Sequence, residues 1–272
     1  IKSSAASDVY KRQNVLIEDI METEIISVST LTDKEDVAHQ LRKYDLLALP
    51  VLDTDGLLVG IVTFDDAMDV MVEEATEDIT KMAAVSPSEK TYFEVSAWEH
   101  AKRTIPWLLV LMFSSIITGT IITRYENAFA AIPLLVSFIP MLMDTGGNCG
   151  SQSSTLIIRG IALNQVTFHD FFRVIWKEFR VSLIVGVVLA VANGLRIYLT
   201  YQQAGMAIVI ALSLVATVIS AKLLGCILPM FAKKIGLDPA LMASPLITTI
   251  VDASSIMICL LYTSDAADDL IG

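Results

Sequence analysis

The chain has 272 residues, is 54% hydrophobic, has a mean hydropathy of +0.62 and carries a net charge of −11. These values favour a membrane protein with a soluble part. Residues 14–100 hold 20 acidic against 5 basic side chains, and residues 101–258 hold 6 against 11. A domain boundary is therefore expected near residue 100, and the acidic half excludes a nucleic-acid partner, which needs a basic footprint.

Both ends are set aside. Ser3 to Gln13 back-translates to a nucleotide string whose reverse complement, in another frame, encodes Cys259 to Asp268. The string resembles a transposon-type sequencing adapter, so residues 1–13 and 259–272 are expected not to be native. The natural part is then about 14–258, and truncation is expected at each end of it. The three cysteines, Cys149, Cys226 and Cys259, suggest neither a disulfide framework nor a zinc site.

Ile25–Val28 reads as a short strand. Thr32, with Glu35 three residues on, matches a capping box for the next helix, in which Val37, Leu41 and Tyr44 follow at helical spacing. Leu49–Leu52 and Leu57–Val62 read as strands joined by the turn Asp53-Thr-Asp-Gly56. Asp65-Asp66 opens a second helix. This α/β pattern resembles one complete CBS motif, carried by Leu49-Pro50-Val51, Asp53 and Gly60-Ile-Val-Thr-Phe-Asp-Asp66. Such modules come in pairs, so a partner motif is expected upstream.

Asp65, Asp66, Asp69, Glu73, Glu74, Glu77 and Asp78 crowd into about four helical turns. The plain reading is a solvated helix face. The sharper one is a cation sensor: carboxylates this close repel each other, and a hard divalent ion with oxygen ligands relieves the repulsion. Ala83–Glu89 reads as a turn. Thr91–Arg103 reads as an amphipathic helix leading to the membrane.

Five apolar segments follow, roughly 105–123, 128–160, 180–200, 206–231 and 240–258, each near the ~20 residues a span requires. With the N-terminal part inside, the inner connections carry eight Lys and Arg and the outer ones two, which fits the positive-inside rule. The second segment is interrupted at 144–152 by a polar, glycine-rich stretch. Irregular backbone at membrane depth is tolerated only against protein or a water-filled cavity, so this stretch points to an ion path. Asp252 in the last span costs at least ~3 kcal/mol if left ionised without a partner. It needs a cation, a wet cavity or a salt bridge, for which Lys222 in the neighbouring span is the rival candidate. Pro245 is expected to free a carbonyl near Thr248 and Thr249, facing the cavity of Asp252. Asp144, Asn148 and Gln152 add oxygen ligands. One carboxylate with carbonyls suits a Mg²⁺ ion that keeps its waters. Without Cys or His at these positions, a soft metal is disfavoured.

From Ile25 to Ile258 the chain resembles the MgtE-type magnesium transporter family. The resemblance is carried by Glu74-Ala-Thr-Glu-Asp78 with Met82–Val85, by Pro140–Ile158, by Leu237–Leu241 and by Pro245–Asp252. It implies an α-helical membrane protein of five spans behind an N-terminal α/β CBS module. The boundaries are then 14–85 for the CBS motif with its acidic helix, 86–104 for a linker and plug helix, and 105–258 for the pore domain. It implies a homodimeric, Mg²⁺-selective channel in the lipid bilayer of the bacterial cytoplasmic membrane, its N-terminal domain cytosolic. Asp252 falls at the family's pore aspartate, and Gly147, Asn148 and Gly150 in its pore motif; Asp144, Thr248 and Thr249 complete the expected ion path. Asp66, Asp69, Glu74, Glu77 and Asp78 match positions that bind regulatory Mg²⁺. Ser244 stands where some members carry Asn. The alternatives are a transporter of another divalent cation such as Co²⁺, and a nucleotide-sensing regulatory membrane protein whose CBS module binds ATP. An enzyme is disfavoured, for want of a nucleophile–base pair or a phosphate loop.

Overall fold

In a computed structural model of the chain, residues 16, 21, 24–88, 90–124 and 136–271 are described, without the side chains of Ser244 and of 262–271. The adapter-like residues 1–13 and the first part of the expected second span, 128–135, lie outside them. The chain forms two compact units, 1–75 and 76–272.

The first unit is a three-stranded sheet with helices. Strand β1 (Val28–Ser29) runs parallel to β2 (Ala48–Leu52), which pairs antiparallel with β3 (Leu58–Thr63). Helix α1 (Lys34–Lys43) connects β1 to β2, and α2 (Phe64–Met82) follows β3. The β2–β3 turn is built by its sequence: Asp53 Oδ1 accepts from the amides of Asp55 and Leu57, at 2.9 and 2.8 Å, and Gly56 takes a φ of +77° that favours glycine. Val28, Val37, Ala38, Leu41, Leu49 and Ala67 form the core. Two expectations are corrected here. Asp33, not Thr32, caps α1, accepting from the Glu35 amide at 2.9 Å; Thr32 Oγ1 is engaged by the Ser29 amide at 3.1 Å. A charged acceptor outcompetes a hydroxyl, and the helix starts one residue later. Tyr44 ends the helix and is exposed, so Ala38 takes its place in the core.

The second unit is a helical bundle: α3 (Ala97–Arg124), α4 (Ile139–Ala162), α5 (Phe171–Tyr201), α6 (Ala204–Lys234) and α7 (Ser244–Ile271). Single 3₁₀ turns, Phe168–Asp170 and Pro239–Met242, precede α5 and α7. Among the described residues, four segments are long and apolar enough to cross a membrane, namely α3, α5 with its 3₁₀ turn, α6, and Pro239–Leu261. The fifth of the expected spans is α4, whose polar middle keeps it out of that set. Helix α6 is central and packs on α5, α4 and α7, while α3 packs on α7. The outward faces of α3 and α5 are lined by exposed Leu, Ile, Val and Phe, as lipid contact requires.

Two more expectations change. The helix expected from Thr91 begins at Ala97 and runs unbroken past Pro106 into the first span. Residues 91–94 instead form a turn, closed by the Thr91 amide donating to Glu94 Oε2 at 3.0 Å; that bond holds the Glu94 carboxyl below its usual range. More important, residues 144–152 do not interrupt the second span. They are helical throughout α4, so the backbone is satisfied within the helix, as lipid demands. The glycines serve packing. A Cβ on Gly146 would fall 2.8 Å from Thr217 Cγ2 and Val251 Cγ1, and one on Gly150 2.7 Å from Ile247 Cγ2. A Cβ on Gly225 of α6 would overlap the Gly150 carbonyl. Small residues let membrane helices approach to backbone distance.

Candidate functional site: the ion path and the acidic helix

Helices α4 and α7 meet along the glycines of α4. Gly147 faces Thr248, whose methyl would lie 3.0 Å from a Cβ there, and Gly150 faces Ile247. One turn away, Asp144 of α4 and Asp252 of α7 lie within reach of each other's charge. Asp252 is half-buried, whereas Asp144, Asn148 and Gln152 are exposed. Their spacing of four residues places the three on one stripe of α4. The expected pore residues Asp144, Gly147, Asn148, Gly150, Thr248 and Asp252 are thus gathered at one helix pair. The threonines differ from expectation. Thr248 and Thr249 both donate their hydroxyls to the Pro245 carbonyl, at 2.9 and 3.0 Å. Pro245 sits in the first turn of α7, where no intrahelical bond is lost, so it leaves no carbonyl bare for an ion.

The rival salt bridge is overturned. Lys222 is buried and paired with Glu178 of α5, Nζ to Oε2 3.7 Å, and it donates to Ser153 Oγ at 3.1 Å. Asp252 is not its partner. Glu178 was missed in the sequence because it sits two residues before the apolar run 180–200 and reads as part of a charged connection. The local signal that existed was Lys222 itself, a lone cation within the apolar run 206–231.

The acidic residues of α2 are largely engaged by protein. Asp66, in the first turn of α2, accepts from the Thr63 amide at 3.2 Å and from the Thr63 hydroxyl. Lys34 reaches Glu73 at 3.5 Å and Glu74 at 3.0 Å. Further along, Lys81 bridges Glu77 and Asp238; Asp238 was not expected, and it also caps the 3₁₀ turn before α7 through the Ala240 amide at 2.8 Å. Beside this bridge Met82 packs with Ile158, Ala240 and Ala243. Among the described residues no three His, Cys, Asp or Glu side chains converge as a metal cage. All the donors are oxygens, the chemistry of a hard cation, but Asp66, Asp69, Glu74, Glu77 and Asp78 do not form one site within a single chain.

Residues 139–262 match the MgtE family model, described as a divalent cation transporter, and residues 17–73 match the CBS domain. Among curated proteins the chain is 38% identical over 242 residues to the magnesium transporter MgtE of Bacillus subtilis, covering 89% of this chain and 53% of that protein. It is 37% identical over 244 residues to the magnesium transporter MgtE of Thermus thermophilus, covering 90% and 54%. For that of Enterococcus faecalis the values are 34% over 250 residues, 92% and 54%. The chain spans about half the length of the curated relatives it matches. Residues 139–262 thus carry an MgtE divalent cation transporter domain, with a CBS domain, residues 17–73, ahead of it.

Proposed function

We propose that this chain is the CBS and membrane part of a transporter that carries Mg²⁺ into a bacterial cell along a path lined by α4 and α7. The observation that supports it best is the stripe Asp144, Asn148 and Gln152, exposed on one face of a helix inside an apolar bundle. Lipid cannot receive that face. A water-filled path can, and a second copy of the chain facing the first would enclose it, so we read the working unit as a homodimer. Asp252 supplies the charge that draws in a divalent ion. Asp144 adds a second negative charge from α4, and the Asn148 and Gln152 amides can meet the water shell that Mg²⁺ keeps. Thr248 and Thr249 shape the path through their methyls, their hydroxyls being held by the Pro245 carbonyl, while Gly147 and Gly150 bring α4 close to α7.

Regulation follows from the acidic helix. In this reading cytosolic Mg²⁺ binds among Asp66, Asp69, Glu74, Glu77 and Asp78, with ligands completed from beyond one chain, and the first turns of α3 then close the path. The CBS domain and its acidic helix lie in the cytosol. ATP at the CBS domain is the remaining ligand of this reading; equilibrium dialysis with ATP checks it.

The deciding experiment is growth of a Mg²⁺-auxotrophic bacterium at low Mg²⁺. The protein should rescue growth and Asp252→Ala should not, at equal amounts in the membrane. Equal rescue by both would remove Asp252 from the path. Failure of both, with Co²⁺ uptake by the unaltered protein, would move the cargo to Co²⁺.

A further inference from the structure

The membrane unit buries one set of polar and charged groups that the ion path does not use. Ser153 of α4 is 0% exposed, Glu178 of α5 8% and Lys222 of α6 4%. Lys222 Nζ donates to Ser153 Oγ at 3.1 Å, and Ser153 Oγ donates to Glu178 Oε2 at 2.7 Å. The ammonium lies 3.7 Å from the same carboxylate oxygen. Three helices each contribute one corner of a closed triangle.

Such a triangle is a poor way to gain stability. Desolvating both charges offsets their attraction, and apolar residues of similar size often serve as well or better. What a buried polar network supplies is direction. At mid-helix α4 meets α6 and α7 through Gly146, Gly147 and Gly150, with Leu142 in the same core and Ile157 and Ile161 against Cys226 and Met230 of α6. Ser154 Oγ also donates to the Met242 carbonyl at 2.8 Å. Glycine and apolar contacts allow close approach with little preference for one rotation. The hydrogen bonds of Ser153, made to charged groups, add that preference. At 3.6 residues per turn, Ser153 stands about 180° around α4 from Asp144 and about 140° from Asn148. Holding Ser153 inward therefore holds the polar stripe on the opposite face.

We infer that Ser153, Glu178 and Lys222 are positioning residues: their triangle fixes the rotation of α4 and so aims Asp144, Asn148 and Gln152 into the ion path. They touch no ion themselves. The consequence for transport rests on the Mg²⁺ reading above; the rotation of α4 does not.

The test uses a cysteine already present. Cys149 is 5% exposed, one turn before Ser153 on the same buried face and next to the exposed Asn148. In a Cys226→Ala, Cys259→Ala background, Cys149 alone reports whether α4 has turned. Its labelling by a water-soluble maleimide is measured in membranes, beside Mg²⁺ uptake and the preference for Mg²⁺ over Ca²⁺. Ser153→Ala deletes the hydroxyl and leaves Glu178 with Lys222. Labelling should rise about tenfold and the Mg²⁺ preference should fall by about the same factor, the worth of a hydrogen bond to charged groups. The double change Glu178→Met with Lys222→Met removes both charges and fills their space, so it keeps the test decisive if Ser153→Ala fails to fold. It should fold and show the same two shifts. If both variants leave Cys149 protected and selectivity unchanged, the triangle is a satisfied ion pair and the inference is wrong. If labelling rises while selectivity holds, α4 turns without affecting the path, and the link to transport fails. If labelling rises but the unaltered protein moves no Mg²⁺, the positioning of α4 stands and the Mg²⁺ reading falls.

Discussion

Three lysines in this chain each hold two partners, and they do so in very different surroundings. In the CBS unit, Lys34 lies between Glu73 and Glu74 with 55% of its side chain exposed. In the membrane unit, Lys222 lies between Glu178 and Ser153 with 5% exposed. Lys81, between Glu77 and Asp238, is intermediate at 23%. At the surface, water competes for both members of a pair and salt screens them, so the pair adds little. In the bundle no water competes, and an unmatched charge is left with nowhere to go. The same motif is therefore decoration in one unit and a structural constraint in the other.

The largest effect belongs to Lys222. Lys222→Met leaves the Glu178 carboxylate buried without its cation, and should cost about 3–5 kcal/mol, read as lost stability to denaturant in detergent micelles. A loss under ~1 kcal/mol, the level of a surface pair, would erase the contrast between the two units. Lys81→Met should cost about 1 kcal/mol after allowance for solvent screening. Partial burial pulls the Lys81 pKa down, but hydrogen bonds and the charges of Asp238 and Glu77 outweigh it and leave it raised. A raised lysine stabilises fully below its unfolded pKa and loses that stabilisation as pH climbs through the folded value. The difference in melting temperature between wild type and Lys81→Met should therefore be constant from pH 7 to 9 and shrink only in strong alkali. A difference that vanished by pH 8 would show that the bridge does not form.

These contrasts also mark what the sequence could reveal. Strands β2 and β3 were legible because alternation and the Asp53–Gly56 turn act over a few residues, and the sheet keeps them within a residue of expectation; β1, expected at Ile25–Val28, forms only at Val28–Ser29, where β2 offers it a partner. The cap of α1 was misplaced by one, since Thr32 and Asp33 are both acceptable and the choice depends on where β1 ends. Helix α4 was misread for a deeper reason. Glycine density signals a loop when the chain faces water, but in a bundle the same glycines form a surface for a neighbouring backbone, and nothing local separates the two cases. The partner of Lys222 was illegible because Glu178 and Asp252 lie on either side of it in sequence, and helix rotation decides between them. The residues proposed for the ion path on α4 and α7 came from resemblance and from the cost of a carboxylate in lipid, an argument that needs no fold.

The smallest effect should come from Lys34, and it tests the comparison from the other side. The hydrogen bond and charge of Glu74, with a further contribution from Glu73, raise the Lys34 pKa above its usual value. That is an interaction, but one made by a side chain more than half exposed to solvent. Lys34→Met should leave the melting temperature of the CBS unit unchanged within error at 0.15 M salt, because the two carboxylates regain water when the ammonium goes. Its effect should appear elsewhere. Glu73 and Glu74 belong to the acidic run proposed to bind regulatory Mg²⁺, and Lys34 competes with an ion for Glu74. Removing it should tighten Mg²⁺ binding by a few fold at low salt, read by calorimetric titration, and the gain should shrink as salt rises through the Debye regime. Weaker Mg²⁺ binding in Lys34→Met would mean that the lysine organises the site instead of competing for it, and a clear drop in melting temperature would mean that exposure is a poor guide to what these lysines do.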